Sequence, residues 1–63
     1  MSSYTQKMIN PKTGKEQIAG MIDDYYGSHR YGVFFRKDGE DYDWNNTKNL
    51  VEDHDVYKED DLK

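Results

Sequence analysis

The chain has 63 residues, no cysteine, and a net charge of −4 from 13 acids and nine bases. One small domain is the most that this length supports, and disulfide frameworks, cysteine-based zinc sites and cysteine nucleophiles are excluded. The apolar third of the chain is dominated by large side chains, with six Tyr, two Phe and one Trp, so a folded domain is expected rather than a disordered tail. Without staples it must hold together on its core, which requires most of these aromatics inside.

In chain order, Tyr4 to Ile9 is a short mixed segment that ends in Asn10-Pro11-Lys12-Thr13-Gly14-Lys15. This is turn chemistry, with Gly14 available for positive φ. Glu16 to Tyr26 is ambiguous: Ile18, Met21, Ile22 and Tyr25 match a helical period. Gly20 inside the run, and Gly27-Ser28-His29 after it, favour a strand in which Gly20 marks a bulge or a close backbone approach. Tyr31 to Arg36 is β-rich and requires a pairing partner.

Asp38-Gly39 predicts a type I′ hairpin turn between Tyr31 and Trp44. Asp41-Tyr42-Asp43-Trp44 alternates strictly, which predicts a strand with aromatics on one face and carboxylates on the other. Asn45-Asn46-Thr47 can cap one helical turn that brings Leu50 inward. Val51 to Tyr57 then supplies a closing strand. Residues 1–57 make the expected domain, and 58–63 a charged, frayed tail.

This order predicts a mainly β fold, a small SH3-like barrel of four to five antiparallel strands with one short helical turn. A sheet with residues 16–26 as a packed helix is the competing arrangement. From Ile18 to Val51 the chain resembles the SH3-like barrels of the Tudor and KOW type, on the Ala19-Gly20 strand, Tyr31-Gly32-Val33-Phe34-Phe35, Asp38-Gly39 and Leu50-Val51. That resemblance is one of fold and implies little about function by itself.

Charge is divided along the chain. Residues 1–36 hold five bases against three acids, and residues 37–63 hold four bases against ten acids. The plain reading is a solvated surface; the sharper one is a docking face for a basic partner. Glu40, Asp41, Asp43, Trp44, Glu52, Asp53 and Asp55 are the expected contact residues. Same-face strand residues lie about 6.6 Å apart, close to the phosphate spacing along a duplex strand, so Asp41 and Asp43 also suit a nucleic-acid mimic. The leading expectation is therefore a non-enzymatic acidic protein-binding module, extending to an inhibitor that blocks a basic nucleic-acid-binding enzyme. Small size and charge suit a phage-type host-takeover or anti-defence protein.

The alternative is a Tudor/KOW-like reader of a methylated peptide or nucleic acid, using Tyr25, Tyr26, Tyr31, Arg30 and Arg36. The Tudor likeness implies an aromatic cage, for which Tyr25, Tyr31, Tyr42 or Trp44 with Asp43 are the candidates. Lys12, Lys15, Arg30 and Arg36 give a small basic footprint, but the net −4 works against direct nucleic-acid binding.

Other chemistry finds little support. Gly14-Lys15 lacks the rest of a phosphate loop. Asp53-His54-Asp55 begins like a calcium loop, but the required Gly is replaced by Lys58 and the fifth-position Asp by Tyr57. His29 and His54 have no ligand spacing and read as exposed. Asp41 and Asp43, on a solvated strand face, have nothing to raise a pKa for acid–base work. Asn45-Asn46-Thr47 is a glycosylation sequon that needs a secretory context. No enzyme activity, cofactor or metal is expected. Met1 to Lys7 has no apolar stretch of the kind a signal peptide needs, and no run approaches a membrane span; a cytoplasmic location, host cytoplasm if viral, is the expectation.

Overall fold

A computed structural model describes residues 3–62. It is mainly β: strands β1 (Ser3–Ile9), β2 (Glu16–Ile22), β3 (Gly32–Arg36) and β4 (His54–Lys58) form one antiparallel sheet in the order β1-β2-β3-β4. Between β3 and β4 lie a 3-10 turn at Trp44–Asn46 and one turn of helix, α1 (Leu50–Asp53); a second 3-10 turn, Glu59–Leu62, follows β4. The sheet is open, with β1 and β4 at its two edges.

Of the stretch Glu16 to Tyr26 read as a strand, Glu16–Ile22 is one and residues 23–26 are a turn, and the helical spacing in the strand has a physical cause. β2 and β3 are buried on both faces, so the two-residue alternation that marks a half-buried strand is lost. On one face Ala19, Met21, Val33 and Phe35 are fully buried, with Met8, Tyr31, Tyr57 and Leu62 packed against them. On the other, Ile22, Phe34 and Tyr42 form a second cluster, with Leu50 and Val56 at its margin.

The β1–β2 connection is the expected turn. The Asn10 carbonyl accepts from Thr13 N and Gly14 N, its Oδ1 accepts from Lys12 N at 2.9 Å, and Gly14 takes φ +75°. Buried Asn10 donates to Gln17 Oε1 at 2.9 Å, and Gln17 Nε2 donates to the carbonyls of Arg36 and Glu40 at 3.2 and 2.7 Å. This amide relay fastens the first hairpin to the turn after β3.

That turn differs from expectation. Gly39 N donates to Arg36 O, and only Gly39 (φ +83°) is left-handed, not Asp38, so the geometry is not type I′, which needs both. No hairpin from Tyr31 to Trp44 forms: β3 pairs with β2 and β4. Residues 41–44 are not a strand either. Asp41 Oδ1 accepts from Ile18 N at 3.2 Å, and Asp43 Oδ1 accepts from Asn45 N at 2.9 Å and caps the 3-10 turn. Short carboxylates competing for local backbone donors break a strand ladder in this way.

The helical turn stands at Leu50–Asp53 and turns Leu50 toward the second cluster, but its N-cap position is Asn49, without a side-chain capping bond, and not Asn45-Asn46-Thr47. β4 runs through Lys58, and Leu62 of the following 3-10 turn packs against the first core cluster. The chain past Tyr57 therefore carries structure as far as residue 62.

Candidate functional site

The second face of the sheet carries a continuous row of aromatic rings. Tyr26 meets Tyr25 edge-on with centroids 5.0 Å apart, Tyr25 meets Phe34 at 5.0 Å, and Phe34 meets His54 at 6.3 Å. His54 meets Tyr42 at 5.1 Å, and Tyr42 meets Trp44 at 4.7 Å. Edge-to-face contacts at these separations are the favoured ones for aromatic quadrupoles. The floor under the row is made by glycines. A Cβ at Gly20 would stand 2.6 Å from the Tyr42 ring, and one at Gly32 would stand 2.8 Å from Tyr25.

The middle of the row is buried and its ends are open. Tyr25, Tyr26 and Trp44 are each about two-fifths exposed, and Lys58 Nζ lies 5.4 Å from the Tyr26 ring centroid. His54 is buried, contrary to the expectation of an exposed loop histidine, because its strand position pairs with Arg36 and turns it onto the aromatic face. Among the described residues, neither ring nitrogen finds a hydrogen-bond partner. His29, by contrast, is exposed and lies 3.6 Å from Asp24.

Beside the Trp44 end lies an open cleft of about 540 Å³, walled by Tyr42, Trp44, Thr47, Leu50, Val51 and Glu52. Val51 is two-thirds exposed. The Tyr42 hydroxyl is buried beside Thr47 and makes no hydrogen bond of good geometry; burial pushes its pKa up, and Thr47 offsets part of that. The Thr47 hydroxyl itself donates to the Asp43 carbonyl.

Of the seven expected contact residues, Trp44 and Glu52 line this cleft. Glu52 and Asp53 also line a smaller polar hollow of about 230 Å³ with Arg36, Lys37, Asp38, Asn46 and His54. Glu40, Asp41 and Asp43 are exposed along the connection that leads to Trp44, but Asp41 and Asp43 spend a carboxylate oxygen on backbone donors. Asp55 does not join them: it pairs with Phe35, so it points to the opposite sheet face, where Lys12 Nζ lies 3.7 Å away. Of these acids Glu52 lines the cleft, with Lys48 on the same wall, and together the acids form no straight row.

The alternative residues are divided: Arg30 and Tyr31 line one small hollow with His29, Lys58, Glu59 and Asp60, and the others do not line it. Tyr25 and Tyr26 stand at one end of the aromatic row, whereas Tyr31 packs against Tyr4 at 5.7 Å on the other face. Arg30 precedes β3 and Arg36 ends it; the Arg36 guanidinium is held by Asp38 at 2.5 Å. That hydrogen bond holds the Asp38 carboxyl below its ordinary value and raises Arg36.

Leu50 and Val51 were not among the expected contact residues. Their signal in the sequence is two adjacent aliphatics directly before the acids 52 and 53, where the expectation turned Leu50 inward and began the closing strand at Val51. Among the described residues, no group of three His, Asp or Glu side chains is placed to hold a metal ion, and no helix is long and apolar enough to cross a membrane.

A small antiparallel β domain with an aromatic-lined cleft is the class that fold and site define. Comparison with protein families, with curated proteins and with solved structures finds no match to this chain.

Proposed function

We propose that this protein is a non-enzymatic binding module whose contact surface is the Trp44–Val51 cleft, and that its partner is a protein segment with apolar side chains flanked by bases. The observation that carries the reading is the exposure of Trp44 and Val51 around one open cleft inside the half of the chain that holds ten of its 13 acids. Exposed aromatics in a cleft act as anchors, and the acids of that half steer a basic partner toward it. A meander with one helical turn before its last strand is also the element order of an SH3-like barrel, and that likeness supports a binding module.

An inhibitory role follows if the partner's own ligand uses the same contact surface. Mimicry of nucleic acid rests here on charge density alone, since Asp41 and Asp43 do not lie on a strand.

The test is capture of a partner from lysate at low and high salt, with the wild-type chain beside Trp44→Ala and Val51→Asp. The expected result is a basic protein retained by the wild type at low salt and lost by both variants. Retention unchanged by both substitutions would remove the cleft from the contact. Direct binding of the isolated chain to nucleic acid would overturn the reading and shift attention to Lys12, Lys15, Arg30 and Arg36.

A further inference from the structure

We propose that two copies of this chain join edge to edge through β1, in an antiparallel pair centred on Gln6. Among the described residues, β1 is the outermost strand of the sheet and pairs only with β2. Every residue of it except Met8 is exposed, including Tyr4 and Ile9. Soluble β proteins blunt such edges with short strands, charged side chains such as Lys, proline, bulges or inward charges. β1 has seven residues in unbroken register with β2 and no proline, and its single charge, Lys7, lies 3.9 Å from Glu16.

The side chains select a second copy as the occupant. A two-fold axis normal to the sheet keeps each face continuous across the seam, so the pairing must centre on one residue. Centred on Gln6, all seven residues of β1 find a partner. Tyr4 then opposes Met8 of the second copy, a favourable sulfur–aromatic pair, and it does so twice. Thr5 opposes Lys7, Ser3 opposes Ile9, and the two Gln6 amides meet at the axis. Centring on Lys7 would set two ammonium groups opposite each other, which is destabilising. Centring on Thr5 would leave Met8 and Ile9 opposite residues outside the strand.

Charge agrees with this choice. β1 and β4 are opposite edges of the sheet and Lys7 lies 3.9 Å from Glu16, while Glu59 and Asp23 bring negative charge to the Tyr4 end of the seam. With both signs along the seam, neither a strongly acidic nor a strongly basic foreign strand is favoured there. The product would be a continuous eight-stranded sheet from two four-stranded ones, with both Trp44 clefts left open.

Sedimentation equilibrium of the full chain over a range of concentrations reads the association directly, and a dimer that dissociates on dilution is expected. Gln6→Lys, which puts like charges at the axis, should weaken it several-fold. The absence of native cysteine allows a sharper register test. Opposed strand residues have Cα atoms about 4.5–5.5 Å apart, within the range of a disulfide. Gln6→Cys should therefore cross-link to itself on mild oxidation. Thr5→Cys and Lys7→Cys should each cross-link poorly alone and well when mixed. Circular dichroism checks that each variant is folded. A monomer at every soluble concentration with no cross-linking of Gln6→Cys would overturn the proposal and leave the edge for a strand of another protein. Equal cross-linking of Thr5→Cys and Gln6→Cys alone would overturn the register.

Discussion

The Tyr42 ring occupies the space that a side chain at Gly20 would need: a Cβ built there stands 2.6 Å from the ring carbons. Tyr42 N also donates to Ile18 O at 3.0 Å, so the ring and this bond, together with the Ile18–Asp41 and Gln17–Glu40 hydrogen bonds, pin the connection after β3 to β2. Gly20→Ala should cost about 1–3 kcal/mol through overpacking. In a Tyr42→Leu background the same substitution should cost much less, because a flexible side chain can yield. Urea unfolding of the four chains measures this coupling, expected at about 0.5–3 kcal/mol for residues in contact. Additive losses would mean that the ring and the glycine are energetically independent.

Gly39 has φ +83° and open space where a Cβ would go. Its substitution therefore probes backbone strain alone. Gly39→Val should lose about 1–2 kcal/mol, the cost of a left-handed conformation for an L side chain. Gly39→Asn should lose less, since Asn visits that region more readily. Equal denaturant midpoints for the parent and Gly39→Val would show that the turn relaxes without strain.

The strands were legible in the sequence where large apolar residues and turn glycines coincide. Val33-Phe34-Phe35, the Asn10 to Lys15 turn and the Gly20 close approach all follow from local chemistry. The connection from Asp41 to Trp44 was not legible. Its alternating pattern is that of a strand, yet its ladder donors and acceptors are replaced by the Ile18–Asp41 and Asn45–Asp43 contacts, and only the first of these is long-range. The cleft was half legible: Trp44 and Glu52 were expected, whereas Leu50 was turned inward and Val51 was placed in the closing strand. His54 was misread because its burial depends on pairing with Arg36 across the sheet, a non-local fact.

Burial raises the Tyr42 pKa above 10.0 in the folded state. For a raised folded value, the stabilisation is fully present below the unfolded pKa and is lost as pH rises through the folded one. Stability should thus decline above pH 10, and Tyr42→Phe should make that decline shallower. At neutral pH the same substitution should be neutral or stabilising, because the hydroxyl is buried without a good partner and removing such a group relieves its desolvation. Thermal melts of both chains from pH 7 upward check both signs; a marked loss at neutral pH would reveal a hydrogen bond to Thr47.

Trp44 is 41% exposed and touches Tyr42, so it is a wall of the cleft more than a core residue. Trp44→Ala should cost about 1–2 kcal/mol of stability, near the value of an aromatic pair plus partial burial. If the cleft is the contact surface, the loss in partner affinity should be larger, about 2 kcal/mol or more, as for a central anchor. Native fluorescence should show a partly solvated indole that shifts to the blue on binding. A stability loss near 4 kcal/mol, typical of a core aromatic, would return Trp44 to the interior.

The acids expected at the contact have two roles that can be separated by the choice of substitution. Asp43 caps the 3-10 turn and Asp41 accepts from Ile18 N, so Asp→Ala at either should lose about 1 kcal/mol of stability, as for a lost cap. Asp41→Asn with Asp43→Asn keeps both acceptors and removes only charge, so the fold should stay intact. Exposed charges steer encounter more than they hold a complex, so this double variant should slow association and flatten its salt dependence, with dissociation little changed. Adding Glu52→Gln and Asp53→Asn should extend the trend, while Asp55→Asn should not, because Asp55 faces Lys12 on the other side of the sheet. Stopped-flow or surface-binding rates at several salt concentrations measure each step. If the partner binds nucleic acid, competition decides the mode: mutual exclusion supports mimicry, and simultaneous binding without mutual weakening leaves a docking module alone.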